Sequence, residues 1–326
     1  MTVRRYKNRH SYRKDSDNKN QKSIIYKVVL TLLILIFVSS LAILINILVI
    51  QPHMNNKLND EIRSIYNQSD EQTSSHVETR EERFKRLLSL NSDIKGWINI
   101  PNTVMDYPVL HSTKQSNFYL YRDYNKNYTK YGSIFIDSTI TSGIDAKNIV
   151  LHGHNMNNGQ MFAGILKFSD LNFYKSTPVI DFDTLEESGK WKIISVFKTN
   201  TDVSHGKLFE YIIGDFNSDS EFLNYVYNVK VRSLIDTPVD INEDDKLLTL
   251  STCSYEIKDF RTVVVARKVR PNESLEVDVD NAKLAKNPLM PEYWYKKNGG
   301  TMPKVTTFEK ALKNGKIDWY KSKNDK

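Results

Sequence analysis

The chain has 326 residues, with 46 Lys or Arg, 39 Asp or Glu and a single cysteine. One cysteine excludes an intrachain disulfide framework, so a domain of this size must hold together through its apolar core. The net charge of +7 is concentrated at one end: residues 1–27 carry nine Lys or Arg against Asp15 and Asp17, leaving 37 basic and 37 acidic residues after them. That neutral remainder has no basic excess and argues against a nucleic-acid partner.

From Ile24 to Ile50 the sequence is apolar, broken only by Tyr26, Lys27, Thr31, Ser39, Ser40 and Asn46, and no charge occurs from Val28 onward. As a helix, Val28 to Ile50 would be about 35 Å long, enough to cross a hydrocarbon core of about 30 Å. A removable signal peptide would have an apolar region of only about 7–15 residues and a small-residue cleavage site, and neither is evident here. The stretch reads as one transmembrane helix. The basic residues before it place the N-terminus in the cytoplasm and everything after Ile50 outside the cell.

The organisation expected along the chain is a basic cytoplasmic tail (1–23), an anchor (24–50), a stalk with N-terminal helices (51–90), a β-domain (91–270) and a C-terminal extension (271–326). In the stalk, Leu58, Ile62 and Ile65 recur weakly among polar residues. Glu78 to Leu90 is better patterned, with Phe84, Leu87 and Leu88 at helical spacing, and predicts an amphipathic helix ended by Asn91-Ser92-Asp93 and Gly96.

Beyond Gly96 short β-branched and aromatic runs alternate with Asn, Asp, Gly and Pro. Eight strands are predicted: Gly96–Ile100, Tyr107–Leu110, Ser133–Ile136, Asn148–His152, Val179–Phe182, Lys190–Lys198, Lys246–Cys253 and Thr262–Arg267. This mainly β pattern suggests an antiparallel barrel or sandwich. One helix interrupts it at Asp219–Val231, where Phe222, Leu223, Val226 and Tyr227 share a face. After Pro271 the sequence turns polar, with two aromatic clusters, Tyr293-Trp294-Tyr295 and Trp319-Tyr320. The extension is expected to fold back on the domain with a short helix at Thr307–Asn314; a tail that binds a partner or the cell wall is the alternative.

The chemistry centres on Cys253, at the end of Leu247-Leu248-Thr249-Leu250-Ser251-Thr252-Cys253. If this run and Thr262–Arg267 form an antiparallel hairpin, Arg261 sits opposite Cys253 on the same face. There the guanidinium can stabilise a thiolate or an oxyanion at a carbonyl under attack. The alternatives are a cysteine that packs as a small hydrophobe, and an Arg261 paired on the surface with Glu256 or Asp259. A thiol nucleophile also needs a proton partner. Asn148 to Met156 reads as a buried strand running into the turn Gly153-His154-Asn155, which makes His154 the candidate acid and base. His152 and His154 at i, i+2 are also a possible pair of metal ligands, with His111 or His205 as third, in an incomplete motif.

These residues together resemble the sortases, the cysteine transpeptidases of Gram-positive cell surfaces, and specifically class B. The resemblance is carried by Thr249-Leu250-Ser251-Thr252-Cys253, the Gly153-His154-Asn155 turn, Arg261 after a short loop, Trp97-Ile98 and Tyr107-Pro108-Val109, and covers roughly Glu82 to Lys268. It implies an eight-stranded sortase-type β-barrel with N-terminal helices and a helix before the cysteine strand. It also implies that Cys253, His154 and Arg261 are catalytic, that Ser251, Thr252, Tyr255 and His152 lie along the substrate groove, and that no cofactor is needed.

The implied partners are surface proteins bearing a C-terminal sorting motif, Asn-Pro-x-Thr-Asn or Pro-x-Thr-Gly in type, cleaved after Thr through a thioacyl enzyme. The accepting amine belongs to a peptidoglycan precursor or, in pilus-building members, to a pilin lysine. Two departures stand out: His152 occupies a position where class B proteins often have an aromatic residue, and the extension beyond Arg270 is longer than a minimal catalytic domain requires. A surface receptor or adhesin that only binds is the competing class. It has no use for a lone strand-end thiol opposite an arginine.

Overall fold

The computed structural model describes residues 9–67 and 79–324, with side chains from Lys22 onward. The chain divides into two units, one ending at Leu58 and one running from Asn59 to the C-terminus. In the first, helix α1 (Arg9–Ile45) continues through a π-helical turn, Asn46–Ile50, into α2 (Gln51–Tyr66). Its apolar side chains from Ile24 to Ile50 are exposed, and the helix is long and apolar enough to cross a membrane.

The second unit begins within α2, where Ile62 and Tyr66 are buried. Tyr66 stacks on Trp97 at 4.1 Å between ring centroids and meets Phe84 edge-on at 5.9 Å. Phe84 belongs to α3 (Arg80–Leu90), which starts in a reciprocal cap: Thr79 accepts from the Glu82 amide while the Glu82 carboxylate accepts from the Thr79 amide. Glu78, the expected helix start, lies outside the described residues, as do positions 68–77 of the stalk.

Eight strands close into a barrel. They are β1 (Ile94–Asn99), β2 (Asp106–Leu110), β3 (Ile134–Ile136), β4 (Asn148–His152), β5 (Val179–Thr184), β6 (Lys190–Asn200), and, after the two-residue β7 (Ile235–Asp236), β8 (Leu247–Ser254) and β9 (Phe260–Lys268). The order around the barrel is β1-β2-β3-β4-β8-β9-β6-β5. The barrel is not wholly antiparallel, because β2 pairs with β3 and β4 with β8 in parallel. Parallel neighbours need a long crossover. Between β2 and β3 it contains a 3-10 turn at Phe118–Tyr121, and between β4 and β8 it contains β5, β6 and helix α5 (Asp219–Arg232).

Small helix α4 (Leu171–Ser176) precedes β5. Helix α5 opens on Ser218, whose side chain accepts from the Glu221 amide, and it buries Phe222, Leu223, Val226 and Val229 against the core. The barrel interior and its cover form one cluster that includes Phe162, Phe168, Trp191, Leu248, Leu250 and Val264. Each such wholly buried side chain contributes about 1.5–3 kcal/mol, so the rim of the barrel rests on a rigid base.

The extension does fold back. Strand β10 (Lys283–Leu284) pairs with β7, and helix α6 (Glu292–Asn298) follows. Helix α7 (Phe308–Lys313) buries Phe308 and Ala311, while Trp319 and Tyr320 pack against the same core.

Candidate active site

Three neighbouring strand ends deliver the expected trio to one rim. In the hairpin β8–β9, Cys253 stands directly opposite Arg261, and Arg261 Nη1 donates to Cys253 Sγ at 3.7 Å. The competing partners of Arg261 are engaged elsewhere: Glu256 pairs with Lys198 at 2.6 Å and Asp259 with Lys258 at 3.9 Å. On the other side of β8, the parallel register runs to His152 opposite Ser251. It is prolonged one step by Thr252 Oγ1 donating to the Gly153 carbonyl at 2.7 Å, which brings the His154 turn alongside Cys253.

Glycine is required at position 153, because a Cβ there would lie 2.5 Å from Ile134 Cδ1 and 2.8 Å from the Phe162 ring. The chain then closes a small loop, with the Phe162 amide donating to the His154 carbonyl at 2.9 Å and Asn155 bridging to Met161. Met161 holds φ at +54°, a costly conformation for a side chain of its size. The loop is also tied to the cysteine strand. Asn155 Nδ2 donates to the Cys253 carbonyl at 3.0 Å, and Tyr255 OH donates to the Asn155 carbonyl at 2.8 Å.

His154 Nε2 lies 2.8 Å from the Leu120 carbonyl oxygen. A carbonyl only accepts, so Nε2 carries the hydrogen and the lone pair of the neutral ring is on Nδ1. Burial pushes the His154 pKa below its ordinary value; the Leu120 carbonyl opposes this and the positive charge of Arg261 reinforces it. Among the described residues no hydrogen bond joins His154 to the thiol. Contacts of this kind are often long without substrate.

The other expected residues divide. Tyr255 is exposed and lines, with Cys253, Arg261, Phe260, Thr201 and Lys258, an open cavity of about 390 Å³. Ser251 and Thr252 are wholly buried, with the Ser251 hydroxyl on Tyr211 OH at 2.8 Å and the Thr252 hydroxyl on Gly153. His152 Nε2 bonds Asp137 Oδ2 at 2.8 Å. Burial raises the Asp137 carboxyl, but hydrogen bonds from His152 and Thr139 outweigh it and hold the group at about 2. Of the other histidines weighed as metal ligands, His205 lies against Phe260 and Tyr293, and among the described residues no three His, Cys, Asp or Glu gather as a metal set.

Asn155 and Lys198 were given no role from the sequence. Asn155 stood within the Gly-His-Asn turn, where its carboxamide could be read as a tie to a neighbouring strand. Lys198 Nζ joins Ser254 Oγ at 3.0 Å, Thr262 Oγ1 at 2.8 Å and Glu256, a convergence that only the barrel creates.

A thiol, a guanidinium and an imidazole on adjacent strand ends of a closed barrel, in a chain with the relatives that follow, define a cysteine transpeptidase. A family model described as the Sortase domain matches residues 98–269. Sortase B of Listeria monocytogenes is 33% identical over 206 residues, which cover 63% of this chain and 80% of that protein. Sortase B of Staphylococcus aureus is 31% identical over 199 residues, covering 60% and 79% respectively. The solved Staphylococcus aureus sortase B-substrate complex superposes with a TM-score of 0.60 at 27% identity, spanning 68% of this chain and 100% of that one. The chain belongs to the sortase family, and within it to class B.

Proposed function

We propose that this sortase is anchored in the membrane by residues 24–50, with its basic tail in the cytoplasm and its barrel outside. There it cleaves surface proteins after the Thr of an Asn-Pro-x-Thr-Asn-like or Pro-x-Thr-Gly-like sorting motif and transfers them to a cell-wall amine. The observation that carries the reading is the 3.7 Å contact between Arg261 and the only thiol in the chain.

In this reading the thiol proton passes to His154, and the Cys253 sulfur attacks the Thr carbonyl carbon. Arg261 donates to the oxyanion that forms. As the C–N bond breaks, the His154 imidazolium protonates the leaving amine, and a thioester to Cys253 remains. The acceptor amine then attacks the thioester carbonyl and gives its proton to His154. The C–S bond breaks, a new amide leaves, and His154 returns the proton to the thiolate. Tyr255, exposed beside the thiol, lines the groove. The buried hydroxyls of Ser251 and Thr252 and the His152–Asp137 pair act from beneath by fixing the strand ends.

The test is peptide cleavage by the full chain in detergent, comparing fluorogenic Asn-Pro-x-Thr-Asn and Pro-x-Thr-Gly peptides for wild type and Cys253→Ala. One peptide is expected to be cleaved by the wild type and neither by the variant. Cleavage that survives the substitution would sink the thiol mechanism. Addition of a peptidoglycan-type amine is expected to convert the hydrolysed product into an amide.

A further inference from the structure

The Sortase-domain match ends at residue 269, so the extension lies outside it. Most of the extension packs on the core through α7, Trp319 and Tyr320. Helix α6 does something different. It docks on the loop that follows β6, residues 201–207, whose first residue, Thr201, lines the Cys253 cavity.

The contacts run in one line. The Tyr293 ring of α6 lies 4.5 Å from the His205 ring, and His205 in turn meets the Phe260 ring edge-on at 5.7 Å. Phe260 is the neighbour of Arg261 and lines the thiol cavity. Among the described residues His205 Nδ1 is buried without a hydrogen-bond partner, and its ring packs between the Tyr293 and Phe260 rings. Beside it the Lys207 amide donates to Glu292 Oε1 at 3.3 Å. Gly206, at φ +112°, admits the Glu292 side chain so closely that a Cβ would meet it at 2.6 Å.

At its other end the loop is fastened to the catalytic hairpin. Thr201 donates to the Asp259 carbonyl from its amide at 2.8 Å and from Oγ1 at 2.9 Å. Asn200 Nδ2 donates to the carbonyls of Asp202 and Gly206, both at 2.9 Å, and draws the loop into a ring. Residues 201–204 are exposed and add nothing to the core, so the loop takes its position from polar and ring contacts rather than from burial.

We propose that α6 is a brace for the active-site wall, and that Tyr293, acting through His205, positions Phe260 and Thr201 for the bound sorting peptide. Tyr293 touches no reacting group. It is a positioning residue for substrate binding, and the inference rests on Cys253 being the nucleophile.

Steady-state cleavage of the Asn-Pro-x-Thr-Asn or Pro-x-Thr-Gly peptide, whichever the wild type accepts, tests it for the full-length wild type, Tyr293→Ala, Tyr293→Phe and His205→Ala. Tyr293→Ala is expected to raise KM about fivefold with kcat held within about twofold, the pattern of lost binding contacts. Tyr293→Phe keeps the ring and is expected to restore the wild-type KM. The double variant Tyr293→Ala/His205→Ala should be no worse than the poorer single variant, because both remove one contact chain. The rate of Cys253 alkylation by iodoacetamide, which uses no wall, should stay at the wild-type value. An unchanged KM in Tyr293→Ala, or a fall in active fraction with KM unchanged, overturns the brace. Cleavage that persists in Cys253→Ala would instead overturn the nucleophile, so the two failures are distinguishable.

Discussion

The two ends of strand β9 each carry an arginine, and the two are held in opposite ways. Arg267 is wholly buried and saturated: it grips Glu273 with Nη1 and Nη2 at 2.6 and 2.7 Å, and donates from Nε to the Asp240 carbonyl at 2.8 Å. Lys192 shares Glu273 at 2.7 Å, and Arg270 closes the cluster on Asp240 and Asp245. Arg261, six residues earlier, faces an open cavity with no carboxylate within ion-pair distance among the described residues, and its Nη1 rests on a sulfur. A guanidinium whose donors are taken by carboxylates and backbone carbonyls holds the fold together. One left without an anion beside a nucleophile is available to a substrate carbonyl.

Substitution separates the two. Arg261→Ala is expected to lower kcat/KM for peptide cleavage by about 10²–10³, the loss seen when one oxyanion donor is removed, and to change stability by less than about 1 kcal/mol. Arg267→Ala should do the reverse. It takes one cation away from three carboxylates around a buried site, with an expected cost of about 3–5 kcal/mol in urea unfolding of the unit from Asn59 onward, while kcat/KM per folded molecule stays near wild type. Equal losses of activity in the two variants would break the comparison.

Acid sharpens it. Burial raises the Glu273 carboxyl, but hydrogen bonds from Arg267 and Lys192 dominate and hold it at about 2, against an ordinary value of 4.5. Its folded pKa is depressed, so its stabilising effect is complete above about pH 4.5 and is lost as pH falls towards 2. The expected loss is about 2–3 kcal/mol over that window. Asp137, held at about 2 beneath the rim, adds in the same direction. In Glu273→Gln the slope of stability against pH should flatten over this window, which denaturant melts at pH 2 to 5 would detect.

The smallest effect concerns His154. Burial lowers its pKa most, and the Arg261 charge lowers it further. Arg261→Ala should therefore move the His154 titration upward, read by NMR of labelled imidazole. A downward move would mean that the guanidinium and the imidazole are not neighbours.

Much of this was legible in the sequence because local patterns carried it. The eight barrel strands fall within a few residues of their expected spans, since β-branched runs bounded by Gly, Pro and Asn mark a strand without reference to its partners. The hairpin that sets Cys253 against Arg261 was readable for the same reason: two apolar runs joined by seven residues pair locally. The parallel pairing of β4 with β8 was not, because 94 residues lie between His152, the end of β4, and Leu247, the start of β8, and no local signal spans the crossover.

Helix α6 was missed because its seven residues follow a proline and have no side-chain cap, leaving neither periodicity nor a start signal. Strands β7 and β10 are two residues each, too short for alternation to register. The partners of His152 and Ser251 were hidden too. Asp137 and Tyr211 belong to distant segments that the barrel folds beneath the rim.

The central claim is that Cys253 carries the acyl group. The most direct measurement is the intact mass of the full chain, acid-quenched within the first turnovers on the cleaved peptide without an added amine, followed by peptide mapping. The account predicts an adduct equal to the peptide segment ending in Thr, located on Cys253, removed by hydroxylamine and absent in Cys253→Ala. Turnover of the peptide with an adduct on another residue, or undiminished turnover in Cys253→Ala, would contradict it.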